Sequence, residues 1–158
     1  MHSEITNLSD NPHLVVAYSR RTRLPLTVTK LMTSGDVWSH CGVVAPDPES
    51  QKIVVVEALM FKGVVKTPIE EWKARYPTFS FVGIDCPDPA AGEEFAIEHA
   101  GKKYDYLGML GAPWRISWDD PERWYCSELV EACVVAAGRN RWRPGKRGIR
   151  PMETFLAL

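Results

Sequence analysis

Trp124-Tyr125-Cys126-Ser127-Glu128-Leu129-Val130 opens the most regular part of the chain. Val130, Cys133, Val134 and Ala137 recur at i, i+3, i+4 and i+7, the apolar stripe of an α-helix, and Gly138 supplies a stop. The pattern predicts a helix over residues 127–137, with Cys126 immediately ahead of its first turn. The N–H groups of a first turn have no partner inside the helix and, with the helix dipole, favour thiolate over thiol. Cys126 also stands four residues before Val130, so it shares the stripe and faces the body of the protein. A nucleophile needs such a place, fixed on a rigid element and aimed at a neighbouring one. Position alone fits a second reading at least as well, that of a small buried apolar residue.

Upstream of this helix the chain reads first as strands. Residues 14–18, 37–44, 53–59 and 79–84 are rich in Val, Ile, Phe and Trp, the residues that fit a half-buried pleated surface. Pro46-Asp47-Pro48-Glu49-Ser50 is a turn, and Lys62-Gly63 marks another, followed by a short strand near 63–66. Thr67-Pro68 predicts a two-turn helix with Thr67 as cap and Pro68 at the first helical position. Asp88-Pro89 predicts a second, with Glu93 and Glu94 towards its positive end, running to about Ala100 before Gly101. No repeat or linker divides the chain, so the expectation is one α+β domain over residues 1–158, with 1–12 a loose N-terminal segment.

Three side chains in the strands bear on Cys126. His40, in Trp38-Ser39-His40-Cys41-Gly42-Val43-Val44, is the type best suited to take a thiol proton near neutral pH, although a strand histidine bound to a carbonyl or water fits as well. Cys41 points to the opposite face of that strand and is not expected to partner His40. Glu57 interrupts Ile53-Val54-Val55-Val56-Glu57-Ala58-Leu59, a run apolar enough to be covered on both faces. A carboxylate there must be paired. Its partner is either an imidazolium, which would make it the group that orients the base, or a structural lysine or arginine. Tyr104 and Tyr106 could touch substrate or pack as ordinary tyrosines. Residues 113–124, with Trp114, Trp118 and Trp124, read as a groove wall or an anchored loop. Arg139, Arg141, Arg143, Lys146, Arg147 and Arg150 read as a solvated basic loop.

Composition narrows the function classes. The chain has 158 residues, 45% hydrophobic and 25% charged, which is enough to bury a core and excludes a disordered or fibrous protein. Nineteen basic against twenty acidic side chains give a net charge of −1, so bulk charge does not hold nucleic acid or an anionic membrane. No apolar run approaches the ~20 residues needed to span a bilayer. Residues 1–11 are polar and unlike a secretory signal, so the expected location is cytoplasmic. The four cysteines, Cys41, Cys86, Cys126 and Cys133, are then expected to be reduced. No CxxC pair occurs, and Cys126 and Cys133 have no histidine at ligand spacing, so no metal site is expected.

In order, Ser39-His40-Cys41-Gly42-Val43-Val44, Val56-Glu57-Ala58, Gly101-Lys102-Lys103-Tyr104-Asp105 and Tyr125-Cys126-Ser127-Glu128-Leu129-Val130 resemble the circularly permuted NlpC-type papain-like enzymes, the YiiX-like group. The resemblance spans about residues 14–151. In unpermuted relatives the cysteine helix precedes the histidine strand; here it follows. The resemblance implies a papain-like α+β fold with the cysteine helix packed on an antiparallel, barrel-like sheet. It implies Cys126 as nucleophile, His40 as general base and then acid, Glu57 as orienting residue, and Tyr104 and Ser127 as substrate-binding residues. Ile149-Arg150-Pro151 matches the proline-containing segment after the cysteine helix. Cys41 departs from the family, where an aliphatic residue is more usual. The implied activity is that of a thiol hydrolase acting on an amide or ester carbonyl without a cofactor, a peptidase or amidase whose partner is a peptide or amidated amino acid. A lipid-directed acyltransferase or esterase, or a catalytically silent binding domain, would use the same fold.

Overall fold

A computed structural model describes residues 12–20, 38–106, 122–142, 149 and 151–156. The expectations for residues 1–11, for Trp114 and Trp118, and for Arg143, Lys146, Arg147 and Arg150 lie outside these.

Five strands form one antiparallel sheet: β1 (His13–Ser19), β2 (His40–Asp47), β3 (Lys52–Leu59), β4 (Gly63–Pro68) and β5 (Phe79–Asp85), in the order β4-β3-β2-β1-β5. Among the described residues the sheet is open, ending in β4 and β5, and does not close into a barrel. Its strands match those legible in the sequence to within a few residues at each end. Short helix α1 (Ile69–Arg75) follows β4, α2 (Pro89–Glu98) follows β5, and β6 (Lys103–Tyr104) pairs in parallel with β7 (Arg123–Trp124). Then come α3 (Cys126–Ala136) and α4 (Pro151–Leu156).

The two-residue period of the strands separates two apolar clusters. Leu14, Val16, Cys41, Val43, Val54 and Val56 face α2 and α3, where Ala96, Leu129, Val130, Cys133, Val134 and Ala137 complete the larger core. The alternate residues Ala17 and Val55 face the other way and pack with Trp72 and Tyr76, at the end of α1. The central strands are therefore covered on both faces, as the unbroken apolar run of β3 requires. The predicted stripe of α3 is buried throughout, and Gly138 follows it at φ 85°, a left-handed conformation that glycine adopts without strain.

Asp88 caps α2 as expected, its Oδ1 accepting from the Ala91 N–H at 3.2 Å. The acidic pair Glu93 and Glu94 lies beyond the first turn, which contains no acidic residue. Thr67 departs from its expected role. β4 runs through to Pro68, and Thr67 is drawn into the sheet because its hydroxyl has a buried acceptor, the Glu57 carboxylate, at 2.7 Å. Arg141 departs too: it donates to the Thr154 carbonyl and pairs with Glu131, buried rather than in solvent, while Arg139 Nη1 donates to the Asp85 carbonyl at the surface.

Gly42 marks the tightest approach within the central strands. A Cβ there would lie 2.7 Å from the Val56 carbonyl oxygen, 2.9 Å from Val55 Cγ1 and 3.1 Å from Glu57 Cβ. Gly42→Ala should therefore destabilise the protein by about 1–3 kcal/mol, the usual cost of overpacking, read as a lowered urea midpoint at unchanged slope.

Candidate active site

The site is anchored by the carboxylate of Glu57. It lies in β3 on the α1 face and is fully buried. The sequence leaves its partner open between an imidazolium and a basic side chain; the structure supplies both. Oε2 accepts from His40 Nε2 at 2.7 Å, Trp72 Nε1 at 3.2 Å and the Tyr76 hydroxyl at 3.3 Å. Oε1 accepts from Thr67 Oγ1 at 2.7 Å and Arg75 Nη1 at 2.9 Å. Burial pushes the carboxyl up, but the bond and charge of His40, with Thr67 and Arg75, outweigh it and hold the group below its ordinary 4.5. An ionised carboxylate only accepts hydrogen bonds, so His40 Nε2 carries a hydrogen and Nδ1 is left for another partner.

That partner is Cys126, the first residue of α3, half-buried, with Tyr125 as its extended N-cap. His40 and Cys41 alternate across β2, yet both side chains meet the Cys126 sulfur. They can because they begin the strand, where the N-terminus of α3 comes against the end of β2 and is reached from either face. Burial disfavours a charged His40, but the contacts with Cys126 and Glu57 prevail and push its imidazole up to about 9. At Cys126 the largest influence is the hydrogen bond from the Cys41 side chain. Burial opposes it, the His40 imidazole and the Cys41 main chain add to it, and the thiol is held well below its ordinary 9. The Cys41 thiol is itself pushed up, by burial first and then by Cys126, so it stays neutral and can donate its S–H. Cys126 and His40 thus each favour the other's charged form, thiolate beside imidazolium, with Arg75 balancing Glu57.

The ion pair has a measurable consequence. Alkylation of Cys126 by iodoacetamide should proceed well below the ordinary thiol pH range, because the thiolate is already present there. Removing the cation in His40→Ala should move the alkylation midpoint up by about one to three pH units. A midpoint that stays put in that variant would rule out the pairing.

Tyr104, in β6, is buried, its ring centroid 4.9 Å from that of Tyr106. The Ser127 side chain packs inward. It is fully buried, and its hydroxyl donates to the Ile149 carbonyl at 2.6 Å, fastening the segment that follows α3. Its hydroxyl is turned into the protein, and the polar group it leaves at the helix start is its main-chain N–H. Reading the sequence missed Cys41, Thr67, Trp72, Arg75 and Tyr76. The one available signal was the buried glutamate itself, which required more donors than a single histidine could provide. Among the described residues no group of three or more His, Cys, Asp or Glu side chains could hold a metal ion.

An antiparallel sheet bearing the histidine, crossed by a later helix that begins with the cysteine, is a papain-like fold in permuted order. Residues 20–143 match the Peptidase_C92 family, described as permuted papain-like amidase enzyme, YaeF/YiiX, C92 family, and the chain belongs to it. It is also similar in fold to the crystal structure of the metalloprotein YiiX from Escherichia coli O157:H7, with a TM-score of 0.60 and 23% identity over 84% of this chain and 70% of that one. No curated protein matches the sequence.

Proposed function

We propose that this protein is a cysteine amidase or peptidase in which Cys126 is the nucleophile, His40 takes the thiol proton and then serves as general acid and base, and Glu57 is the residue that orients His40. The observation that carries this reading is the half-buried Cys126 thiol in contact with an imidazole whose other nitrogen is bound to an ionised, fully buried carboxylate. Membership of a family of permuted papain-like amidases supports it at the level of reaction class.

Cys126 Sγ attacks the amide carbonyl carbon, and the carbonyl oxygen takes the negative charge. The N–H groups in the first turn of α3, which no carbonyl of the helix itself can accept from, are suited to stabilise that oxygen. His40 passes its Nδ1 proton to the departing amine as the C–N bond breaks, leaving a thioester on Cys126. The imidazole, now neutral, takes a proton from water as it attacks the thioester. The acid leaves, and the proton returns the site to its ion pair. Glu57 keeps its proton count throughout, holding the Nε2–H tautomer and ring orientation.

Thiol-reactive acyl probes, one peptide-like and one fatty-acyl, test the assignment. The wild type should be labelled, Cys126→Ala should not, and His40→Ala should be labelled more slowly at neutral pH. Equal labelling of all three proteins would overturn it. A preference for the peptide-like probe is expected; preference for the fatty-acyl probe would turn the reading towards lipid acyl chemistry.

A further inference from the structure

A cleft of about 290 Å³, bordered by the β6–β7 pair that leads into the cysteine helix, has a chemistry that the reaction scheme leaves unused. Lys62, Lys102, Lys103 and Arg123 line it, and no carboxylate is among the described residues that do. Lys102 is paired with Glu122 at the margin, whereas Lys62 and Lys103 are exposed. Four cations thus gather around one cleft in a chain whose net charge is −1. Arg123 is three residues ahead of Cys126, so their Cα atoms are no more than about 11 Å apart. β7, which carries Arg123, pairs with β6, which carries Lys103 and Tyr104, so the cleft is built on the strand pair that leads into the cysteine helix.

A second observation concerns Phe61. It stands between β3 and β4, where the Lys62 N–H donates to the Leu59 carbonyl at 3.1 Å, so Phe61 is the third residue of a tight turn. Its φ is 68°, a left-handed conformation that such turns reserve for glycine or asparagine and that strains a bulky side chain. Phe61 is 87% exposed, its ring centroid lies 5.9 Å from that of Tyr106, and it borders the cleft. Glycine would satisfy the turn, whereas phenylalanine strains it and leaves an aromatic face in water. Tyr106, a further wall residue, accepts the Phe61 N–H through its hydroxyl at 2.7 Å and keeps its own O–H proton to donate. Backbone strain of this kind clusters at active sites and ligand clamps.

We propose that this cleft is the subsite for a substrate that carries an anionic group, carboxylate or phosphate, next to an aromatic or apolar portion. The lysines and Arg123 take the charge, the Tyr106 hydroxyl adds a hydrogen bond, and the Phe61 ring covers the apolar part. As a substrate subsite the proposal rests on Cys126 being the nucleophile; as an anion-binding site it does not.

The test reads binding on the Cys126→Ser protein, so it is independent of turnover. N-benzoylglutamate, its dimethyl ester and benzyl phosphate are titrated by calorimetry at low and high salt. At least one of the two anions should bind about tenfold or more tightly than the ester, the worth of one charge-assisted hydrogen bond, and salt should erode the difference. Preference between them tells carboxylate from phosphate. Lys62→Gln/Lys103→Gln should remove the anion preference. Phe61→Gly should weaken binding of every probe while leaving Tm unchanged or raised, which a merely structural phenylalanine would not do. Equal affinity for diacid and diester, no binding of either anion, or an anion preference that survives the double substitution would overturn the proposal. If the anions bind as expected while Cys126→Ala is still labelled by acyl probes, the nucleophile assignment fails and the binding site stands.

Discussion

Cys126→Ser should lower kcat/KM for a chromogenic anilide or activated ester by about 10⁴-fold or more while shifting Tm by only a few degrees. The size of the effect follows from the ion pair. In the wild type Cys41, His40 and the main chain at Cys41 hold the Cys126 thiol well below its ordinary range, so the proposed nucleophile is readily ionised. A serine hydroxyl cannot ionise under those influences. His40, having lost the thiolate that is the strongest upward influence on it, loses part of the basicity needed to take the hydroxyl proton. The fold should tolerate the change, since the side chain is half-buried and serine is smaller than cysteine. If Cys126 were only a packing residue, activity would follow the folded fraction alone. Retention of a tenth of the wild-type rate by folded Cys126→Ser protein would therefore dispose of the mechanism.

Glu57→Ala should cost about 3–5 kcal/mol, a fall in Tm on the order of 10 °C, and should also abolish turnover. All five groups around this carboxylate are donors, and two of them, His40 and Arg75, are cationic in the resting state. Removing the acceptor leaves buried donors and a buried imidazolium without an anion, which costs more than the original pairing returned. Glu57→Gln should be intermediate: donors surround both oxygens, so one of them must face the amide NH₂. Because the folded-state pKa of Glu57 lies below 4.5, its stabilisation is complete above that value and is lost as pH falls through the folded pKa. The stability gap between wild type and Glu57→Gln should accordingly narrow in acid. NMR titration of the imidazole should show His40 falling from about 9 in the variant. Glu70→Gln, which breaks an exposed pair with Lys73, is the control and should shift stability by no more than about 0.5 kcal/mol.

Much of this was legible in the sequence because it depends on short-range periodicity. The stripe Val130, Cys133, Val134 and Ala137 dictates a helix whatever packs against it, and its start puts Cys126 on free N–H groups. The alternation in β2 separates His40 from Cys41 by face. The apolar run around Glu57 identifies a strand buried on both sides and a carboxylate that must have partners. Misreadings arose where a local preference met a stronger distant partner. Thr67 has the sequence of a helix cap, yet its hydroxyl donates to the buried charge of Glu57 instead of accepting from the next helix's N–H groups. Arg141 looks like part of a solvated run and is drawn inward by Glu131 and Thr154.

By itself, then, the sequence determined the elements, their order and the chemical types at their ends, since these follow from residues within a few positions of one another. Only the tertiary structure decided who meets whom. It brings His40 and Cys41, from opposite faces of one strand, to the same sulfur, because the helix starts at the strand's end. It surrounds one carboxylate with donors from three other elements, and it gathers Phe61, Lys62, Lys103 and Arg123 around one cleft. These contacts join residues up to 86 positions apart, from His40 to Cys126. No local periodicity encodes such pairings; they are selected by the energy of burying charge only where a partner is waiting.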